Sequence, residues 1–408
     1  MRDSPSIPPL VLTLAERCNE LGGTAYLVGG VVRDHFLGQP LKDYDIEVFG
    51  IEPRPLERML RKLGRVNTVG KAFGVFKLQA GSDELDISLP RRDSKRGPGH
   101  RGIHVEGDPF MSVHDAVKRR DLTINALMWD LNKGQLLDPT GGMQDLEARR
   151  LRAVDDATFL EDPLRAVRVV QFAARFKFTA DAQLIGLCER AALHELPAER
   201  IREEWVKLML RGARPSMGLA VARASGMLQR MFPDLRDDPA CDVALDWMAQ
   251  RSEPHTPGRR LTSMMLSWLW TQPDPTPTLD RLGLHRWLSY PSRKRLLDAH
   301  ANRGQRPLDD AALRHLSTRC ELQLLFTCQA AHGDLDAPTR LQAAQQLNVH
   351  HEQPEPILKG RHLKSLGISP GPIMGQVLHA IYVLQLDGSI TDLDQARIAA
   401  QRHVQNAD

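Results

Sequence analysis

The stretch YLVGGVVRDHFLGQPLKDYDIEVF, residues 26–49, combines its elements in an order that few folds share. Its apolar start predicts a buried strand that runs into Gly29 and Gly30, and the residues after this pair predict a short helix. A second strand is then predicted, which begins with Asp43. Because side chains two apart on a strand point to the same side, we expect Asp43 and Asp45 to share one face.

These features predict a binding site for a metal-bound triphosphate. A glycine pair at the start of a helix offers backbone N–H groups to phosphate. Two carboxylates on one face offer the hard oxygen ligands that Mg²⁺ prefers. Each feature alone is common, since most Gly-Gly pairs are turns and Asp-x-Asp occurs at many exposed strand ends. The stretch lacks the three glycines of a dinucleotide fingerprint and the Lys-Ser/Thr of a P-loop.

The composition predicts a soluble globular protein of two or more domains. The chain has 408 residues, of which 42% are hydrophobic and 26% charged. No apolar run approaches the roughly 20 residues of a membrane span, and the N-terminus lacks the apolar core of a signal peptide. Five scattered cysteines without a CxxC pair favour the reducing cytosol. We therefore expect a cytoplasmic protein that does not bind a membrane. Because the net charge is only +3, any basic surface that binds nucleic acid would be local.

The pattern along the chain predicts an α+β protein whose strands are confined to its first part. Strand signals end near residue 145, and helical periodicity then continues almost to the C-terminus. Residues 92–112 are rich in glycine and basic residues and show no periodicity. We predict a long mobile loop there, because loops of this length in compact domains are usually functional or disordered.

The motif RRDxTxNAL, which begins at Arg119, is predicted to contact a nucleotide. The paired guanidiniums of Arg119 and Arg120 can bind phosphate bidentately. The carboxylate of Asp121 can accept a hydrogen bond from a ribose 2′-hydroxyl, and Asn125 follows in the same predicted helical turn. The alternative is a solvated basic turn. Residues 91–93 also read RRD, but they do not continue into Thr-x-Asn-Ala.

A second motif, EDPLRAVR at 161–168, is predicted to select the base. Asp162, Arg165 and Arg168 are spaced i, i+3 and i+6, so they would lie near one face of a helix. Cytosine and adenine both present an amino donor beside a ring-nitrogen acceptor, which an accepting Asp and a donating Arg can match. Uracil and guanine reverse this order and would leave buried polar groups unpaired. The alternative is an ordinary helical ion pair.

Three further features each allow a structural and a functional interpretation. Asp86 interrupts an apolar strand, so its carboxylate either faces solvent or is a third metal ligand. The dipeptide His114-Asp115 is interpreted as structural, because a phosphohydrolase site needs further His and Asp residues that the chain does not supply in that arrangement. The run His350 to Glu352 could bind a metal, but its proline-flanked position favours a plain surface loop.

The motifs above resemble the nucleotidyltransferase superfamily that contains bacterial-type (class II) CCA-adding tRNA nucleotidyltransferases and poly(A) polymerases. The resemblance extends over 24–212 and, more loosely, over 356–390. Its opening motif is carried by Gly29, Gly30, Val32, Arg33, Asp34, Asp43 and Asp45. It implies a small mixed-sheet nucleotidyltransferase head (1–145) followed by an all-α neck (146–230), body (231–350) and tail (351–408).

The resemblance also implies roles for individual residues. Asp43 and Asp45 would hold Mg²⁺, and Asp86 would be a further catalytic acid. The nucleotide would be bound by Gly29, Gly30, Arg33, Arg119, Arg120, Asp121, Asn125, Asp162, Arg165 and Arg168. The segment 199–204, ERIREE, would support the base-selecting helix.

The implied reaction is the attack of an RNA 3′-hydroxyl on the α-phosphate of CTP and then ATP, with release of pyrophosphate. The substrate would be the 3′ end of tRNA, and the tail would bind the tRNA. The loop over 92–112 would act as a lever between the two kinds of addition. An A-adding enzyme, a poly(A) polymerase and a non-catalytic RNA-binding protein remain as alternatives, and the oligomeric state is left open.

Overall fold

A computed structural model describes residues 5–69, 74–81, 83–95, 103–251 and 256–405. The chain forms two compact units, Met1–Pro233 and Asp234–Asp408. The N-terminal unit contains a seven-stranded mixed sheet, and the C-terminal unit is helical. The predicted α+β class, with a mixed-sheet head followed by helices, is confirmed. The finer division at residues 145, 230 and 350 stays a prediction.

The elements of the N-terminal unit follow in chain order. They are α1 (Pro9–Glu20), β1 (Thr24–Val28), α2 (Gly30–Phe36), β2 (Asp45–Phe49), α3 (Pro53–Leu63), β3 (Arg65–Val69), β4 (Val75–Ala80), β5 (Asp83–Ser88), β6 (Arg91–Lys95), β7 (Ile103–Gly107), α4 (Val113–Lys118), β8 (Met128–Asp130), β9 (Gln135–Leu137), α5 (Gly142–Glu147), β10 (Arg150–Leu151), α6 (Asp156–Glu161), α7 (Leu164–Phe176), β11 (Thr179–Ala180), α8 (Ala182–Arg190), α9 (Ala198–Arg211), α10 (Pro215–Ala224) and α11 (Met227–Met231). Single 3₁₀ turns cover Thr123–Asn125 and Leu193–Glu195.

The large sheet has the strand order β3-β4-β5-β2-β1-β8-β9. Its only parallel pair among these strands is β2 with β5, in which Asp45 lies opposite Asp86. Along β2 the side chains of Ile46 and Val48 are fully buried on one face. The opposite face presents Asp45 and then Glu47, because side chains alternate along a strand. The acidic end of β2 therefore lies beside an acidic residue of β5.

Two predictions about the carboxylates and the basic loop need correction. The strand that carries Asp45 begins at that residue, and Asp43 lies in a bend with φ of 54°. This left-handed backbone breaks the strand alternation, so a shared strand face does not align the two carboxylates. Part of the predicted loop 92–112 is the antiparallel pair of β6 and β7. The sequence does not indicate β6 because its five residues, RRDSK, are all polar, and β7 has only two apolar residues, Ile103 and Val105. Residues 96–102 lie outside the described part of the chain.

Three predicted helical stretches are also interrupted. The run from Arg119 onward is not one helix, because α4 ends at Lys118 and only the 3₁₀ turn follows. The helix of the second motif begins at Leu164, so Asp162 precedes it rather than sharing its face. Strands also recur after residue 145, since β10 and β11 form a short parallel pair.

The C-terminal unit consists of helices in the part that the structure describes. They are α12 (Ala240–Ala249), α13 (Pro257–Trp268), α14 (Thr276–Arg281), α15 (Ser292–Ala301), α16 (Asp310–Ser317), α17 (Leu322–Ala331), α18 (Ala337–Gln346), α19 (Gly360–Lys364), α20 (Pro372–Leu386) and α21 (Leu393–Gln405). Helix α17 is buried along almost its whole length, while α19 to α21 share a separate apolar cluster. Among the described residues, no helix is long and apolar enough to cross a lipid bilayer.

Candidate active site

The predicted site residues meet around one cavity of about 790 Å³ within the N-terminal unit. All ten residues predicted to bind the nucleotide line it, together with Asp43 and Asp45. Asp86 is not among the lining residues. The lining also includes residues that the sequence analysis did not assign: Leu164, Gln171, Phe172, Arg175, Lys207 and Arg211. All six lie on α7 and α9, and their helical spacing along an arginine-rich face was the signal that could have revealed them.

The glycine turn at the end of β1 lies against the basic side of the cavity. Gly29 has φ of 72°, a conformation that residues with a Cβ rarely adopt. A Cβ atom at this position would lie 3.2 Å from Nη1 of Arg120. Glycine is therefore required here both for the turn and for the close approach of the guanidinium.

Arg33 connects α2 to two other parts of the site. Its guanidinium donates to Oδ1 of Asp34 at 2.8 and 2.7 Å and to Oδ1 of Asn125. It also lies over the rings of Phe176 and Phe172, at 4.5 and 5.6 Å from their centroids. Burial lowers the pKa of Arg33, and Asp34 opposes this effect. With the residue only 4% exposed, most of its donors are used within the protein.

The carboxylates of Asp43 and Asp45 lie at the cavity wall. Although Asp45 is more than a third exposed as a residue, partial burial of its carboxyl group raises its pKa, and the nearby Asp86 and Asp43 raise it further. A divalent cation would relieve this repulsion, and carboxylate oxygens are suitable ligands for a hard cation. The pair therefore fits such an ion.

Asp86 has a different environment from the other two acids. Its Oδ1 lies 3.2 Å from Nζ of Lys77 on the neighbouring strand β4. Across the described residues, no group of three or more His, Cys, Asp or Glu is close enough to hold a metal ion. Lys77 thus supplies a partner for Asp86 that does not depend on a metal.

A buried carboxylate that the sequence analysis missed contacts the turn at 119–121, which we call the basic turn. Glu47 is 0% exposed. Its Oε1 accepts from Nη2 of Arg119 at 2.6 Å, and its Oε2 accepts from Nη2 of Arg120 at 3.0 Å. Burial acts to raise the pKa of Glu47, but Arg120 and Arg119 outweigh it and hold that pKa below its usual value. One carboxylate thus holds two neighbouring guanidiniums.

Asp121 is also engaged within the protein. The residue is 8% exposed, and its carboxylate accepts from Nε of Arg168 at 2.7 Å and from Nδ2 of Asn125 at 2.9 Å. Burial acts to raise its pKa, but Arg168 and these hydrogen bonds lower it overall. Asp121 therefore remains ionised and joins the basic turn to α7.

The two residues predicted to select the base both line the cavity, each with partners of its own. Oδ1 of Asp162 accepts from the backbone N–H of Leu164 at 3.1 Å and lies 3.5 Å from Nη1 of Arg200. Arg165 donates from Nη1 to the carbonyl of Thr158 at 2.6 Å and from Nη2 to the carbonyl of Arg119 at 2.5 Å. The guanidinium is thus held in a defined orientation at the end of the basic turn.

The remaining candidates take no part in this cavity. Asp115 accepts from Lys118 at 2.9 Å and from Ser112, the cap of α4, which agrees with a structural role for His114-Asp115. His351 is only partly exposed, because its Nδ1 lies 3.2 Å from the buried carboxylate of Glu321. Residues 350–352 form a bend and are partly or fully exposed, which agrees with the predicted surface loop, and the contact with Glu321 fixes one side of it.

Two segments of the chain match known families. Residues 25–152 match the family described as Poly A polymerase head domain. Residues 188–238 match the family described as probable RNA and SrmB-binding site of polymerase A. These two segments are therefore similar to the head and to the RNA-binding region of poly(A) polymerases. The first of these matches covers the glycine turn, both cavity carboxylates and the RRD turn, whereas the motif EDPLRAVR at 161–168 lies outside both matches.

Curated relatives of the chain include family members named multifunctional CCA protein. The protein from Nitrosococcus oceani is 39% identical over 215 residues, which are 52% of this chain and 50% of the relative. The protein from Acinetobacter baylyi is 38% identical over 237 residues, 56% of this chain and 53% of the relative. The chain spans about half the length of the curated relatives it matches.

Solved structures of CCA-adding enzymes share the fold over nearly the whole chain. The Bacillus stearothermophilus enzyme in complex with CTP has a TM-score of 0.74 at 21% identity, covering 98% of this chain and 99% of that one. The Thermotoga maritima enzyme complexed with tRNA has a TM-score of 0.68 at 22% identity, covering 99% and 100%. At this identity the likeness concerns the fold alone, and it agrees with a sheet-containing head followed by helices.

Proposed function

We propose that the chain is a template-independent nucleotidyltransferase that adds CCA to the 3′ end of tRNA. The observation that carries the proposal is the single cavity onto which four separate motifs converge: the glycine turn, the acidic pair, the RRD turn and the start of α7. Such a cavity offers acidic, phosphate-binding and base-reading groups at once. The relatives named multifunctional CCA protein support the same reaction.

In this proposal the basic turn binds the triphosphate and α7 reads the base. Arg119 and Arg120 present guanidiniums suited to phosphate oxygens, and Gly29 leaves room for close approach of the backbone. Asp162 would accept from the amino group of cytosine or adenine while Arg165 donates to the ring nitrogen. Arg165 would exchange its bond to a backbone carbonyl for one to the base.

The family implies dependence on a divalent metal ion, and we propose Mg²⁺. Asp43 and Asp45 would hold it, since their carboxylates lie at the same cavity and repel each other without a cation. Bound there, Mg²⁺ would supply electrostatic stabilisation to the charge that develops on the attacking and leaving oxygens. We keep Asp86 as a candidate third acid, although Lys77 is its partner in the structure.

The proposed polymer substrate is tRNA, and the proposed location is the cytoplasm, where tRNA and nucleoside triphosphates are available together. Residues 188–238, which match an RNA-binding family, would contact the RNA backbone near the cavity. The tail at 351–408 would also contact the tRNA. Both contacts would be largely independent of sequence, because phosphate and sugar contacts position RNA without reading it.

The experiment that tests the function is incubation with tRNA lacking its CCA end. CTP alone should extend it by two residues, and CTP with ATP should complete CCA. Extension only of tRNA that already ends in CC would indicate an A-adding enzyme. Continued addition of A would indicate a poly(A) polymerase. Retention of RNA binding without any extension would leave a non-catalytic RNA-binding protein.

A further inference from the structure

We propose that Glu47 is a positioning residue that aligns Arg119 and Arg120 for the triphosphate. The inference rests on the proposed function, because it assumes that these two arginines bind phosphate. Glu47 does not line the cavity and is not part of the Asp-x-Asp pair. It lies two residues after Asp45 on the same face of β2 and contacts both arginines of the basic turn.

The contacts show why a carboxylate is needed at this position. Two guanidiniums follow each other in sequence at a turn, and each carries a positive charge with little access to water, with side-chain exposures of 19% and 15%. Without a shared anion they would repel each other and move apart. Glu47 binds one terminal nitrogen of each, at 2.6 Å and 3.0 Å. The geometry thus fixes the spacing between the two guanidiniums.

The arrangement also leaves donors for a ligand. The Nε atoms of Arg119 and Arg120 are buried and have no hydrogen-bond partner within the described structure. Buried donors normally find partners, since an unpaired one costs free energy. Both side chains line the cavity and keep 19% and 15% of their surface exposed, so phosphate oxygens would reach the outer nitrogens of the guanidiniums there, and a shift of the side chains on binding would give the Nε atoms partners as well. Glu47 therefore holds each guanidinium by one nitrogen and leaves others for the triphosphate.

Two effects of Glu47 on an anionic ligand oppose each other. Its charge repels phosphate, whereas its hydrogen bonds place the two arginines where phosphate can be bound by both. We infer that positioning prevails, because removing one partner of a buried ion pair leaves the other charges uncompensated and mobile. If repulsion prevailed, removing the charge of Glu47 would strengthen triphosphate binding. If positioning prevails, the same substitution weakens it, so the experiment distinguishes the two effects.

The test compares two variants, Glu47→Gln and Glu47→Asp. The first keeps the length of the side chain and removes its charge, while the second keeps the charge and shortens the reach. If Glu47 positions the arginines, both variants should bind CTP, ATP and inorganic triphosphate more weakly than the unaltered full chain. The expected loss is about tenfold or more, as for a charged hydrogen bond. Titration calorimetry measures this binding without requiring transfer to tRNA. Unchanged or tighter triphosphate binding in either folded variant would overturn the inference.

A matched control separates positioning from a general loss of folding. Glu321 is also buried, at 1% exposure, and is also paired with two arginines, Arg259 and Arg295, but it lies in the C-terminal unit. Glu321→Gln should leave triphosphate binding unchanged. In transfer assays, the Glu47 variants should raise KM for CTP and ATP by a similar factor and keep the preference over UTP and GTP. A fall in kcat at unchanged KM would indicate a purely structural role and would contradict the inference.

Two further results complete the test. If Glu47→Gln does not fold, Glu47→Asp alone decides the matter by its triphosphate affinity. The double variant Glu47→Gln with Arg120→Gln should lose less triphosphate binding free energy than the sum of the two single variants, because both changes disrupt the same interaction. Full additivity would overturn the inference. Absence of transfer by the unaltered chain would instead contradict the proposed function, since binding and transfer are measured separately.

Discussion

Arg168 donates from Nε to Oδ2 of Asp121 across 2.7 Å, and this ion pair joins α7 to the basic turn that follows α4. A second contact supports the same junction, since Arg165 donates to the carbonyl of Arg119. The proposed base-reading helix and the proposed phosphate-binding turn are therefore held together by charged and polar bonds. A movement of the phosphate-binding turn would therefore also move the base-reading helix.

The first prediction concerns the stability of this junction. Asp121→Asn should reduce the protection of the α7 amide protons against hydrogen exchange by about 1.5–3 kcal/mol, the contribution of a charged hydrogen bond, because Arg168 is 35% exposed and water partly screens its charge. The exposed Asp83→Asn serves as a control and should have little effect. Loss of protection below about 1 kcal/mol would mean that the pair behaves as an exposed salt bridge.

The second prediction concerns the proposed metal ligands. Asp43→Ala and Asp45→Ala should each abolish transfer of both C and A while leaving tRNA binding nearly intact, because the lost carboxylates act on the reaction and not on the RNA backbone. Transfer is followed by gel analysis of the tRNA 3′ end and binding by filter retention. Substantial activity of Asp45→Ala would contradict the proposed metal site.

A third prediction separates Asp86 from these two acids. If Asp86 is a catalytic acid, Asp86→Ala should cause a large loss of transfer, as the family resemblance implies. Its pairing with Lys77 offers another explanation for the carboxylate. Lys77→Met, which removes the partner and keeps the acid, is the matched variant. Equal and modest losses in the two variants would make Asp86 a structural residue.

The fourth prediction concerns base choice. Asp162→Ala or Arg165→Ala should slow the reaction and admit UTP or GTP, because the donor and acceptor that match cytosine and adenine would no longer be paired in one place. Incorporation of each of the four nucleotides on tRNA lacking its CCA end measures the change. An equal loss for all four, with the selectivity unchanged, would assign these residues a structural role.

The fifth prediction concerns the segment between β5 and α4. One pocket would have to take cytosine twice and then adenine, so Asp162 and Arg165 must be repositioned before the last addition. We expect the β6–β7 segment to bias that change. Removal of residues 94–106 should leave C addition largely intact and stop the product at CC. Completion of CCA at a near-normal rate would show that the segment is a passive connection.

Much of the site could be predicted because its residues occur in short motifs with local consequences. The pair Gly29-Gly30 and the RRD turn carry their chemistry in neighbouring positions, so residue type and spacing were enough to indicate phosphate binding. The α+β class followed in the same way from the position where strand periodicity stops. Both inferences depend on interactions within a few residues, which composition and periodicity record directly.

The partners of those motifs depended on the tertiary structure. Glu47 is separated from Arg119 by 72 residues, and its role became visible only when β2 was placed beneath the basic turn. The strand pairing of β6 and β7 was equally hidden, because β6 has no apolar residue and the alternation of Ile103 and Val105 in β7 is too short to indicate a strand. Local sequence thus specified which groups the site contains. Strand register and helix packing decided which of these groups contact one another, because they bring together residues that are far apart in the sequence.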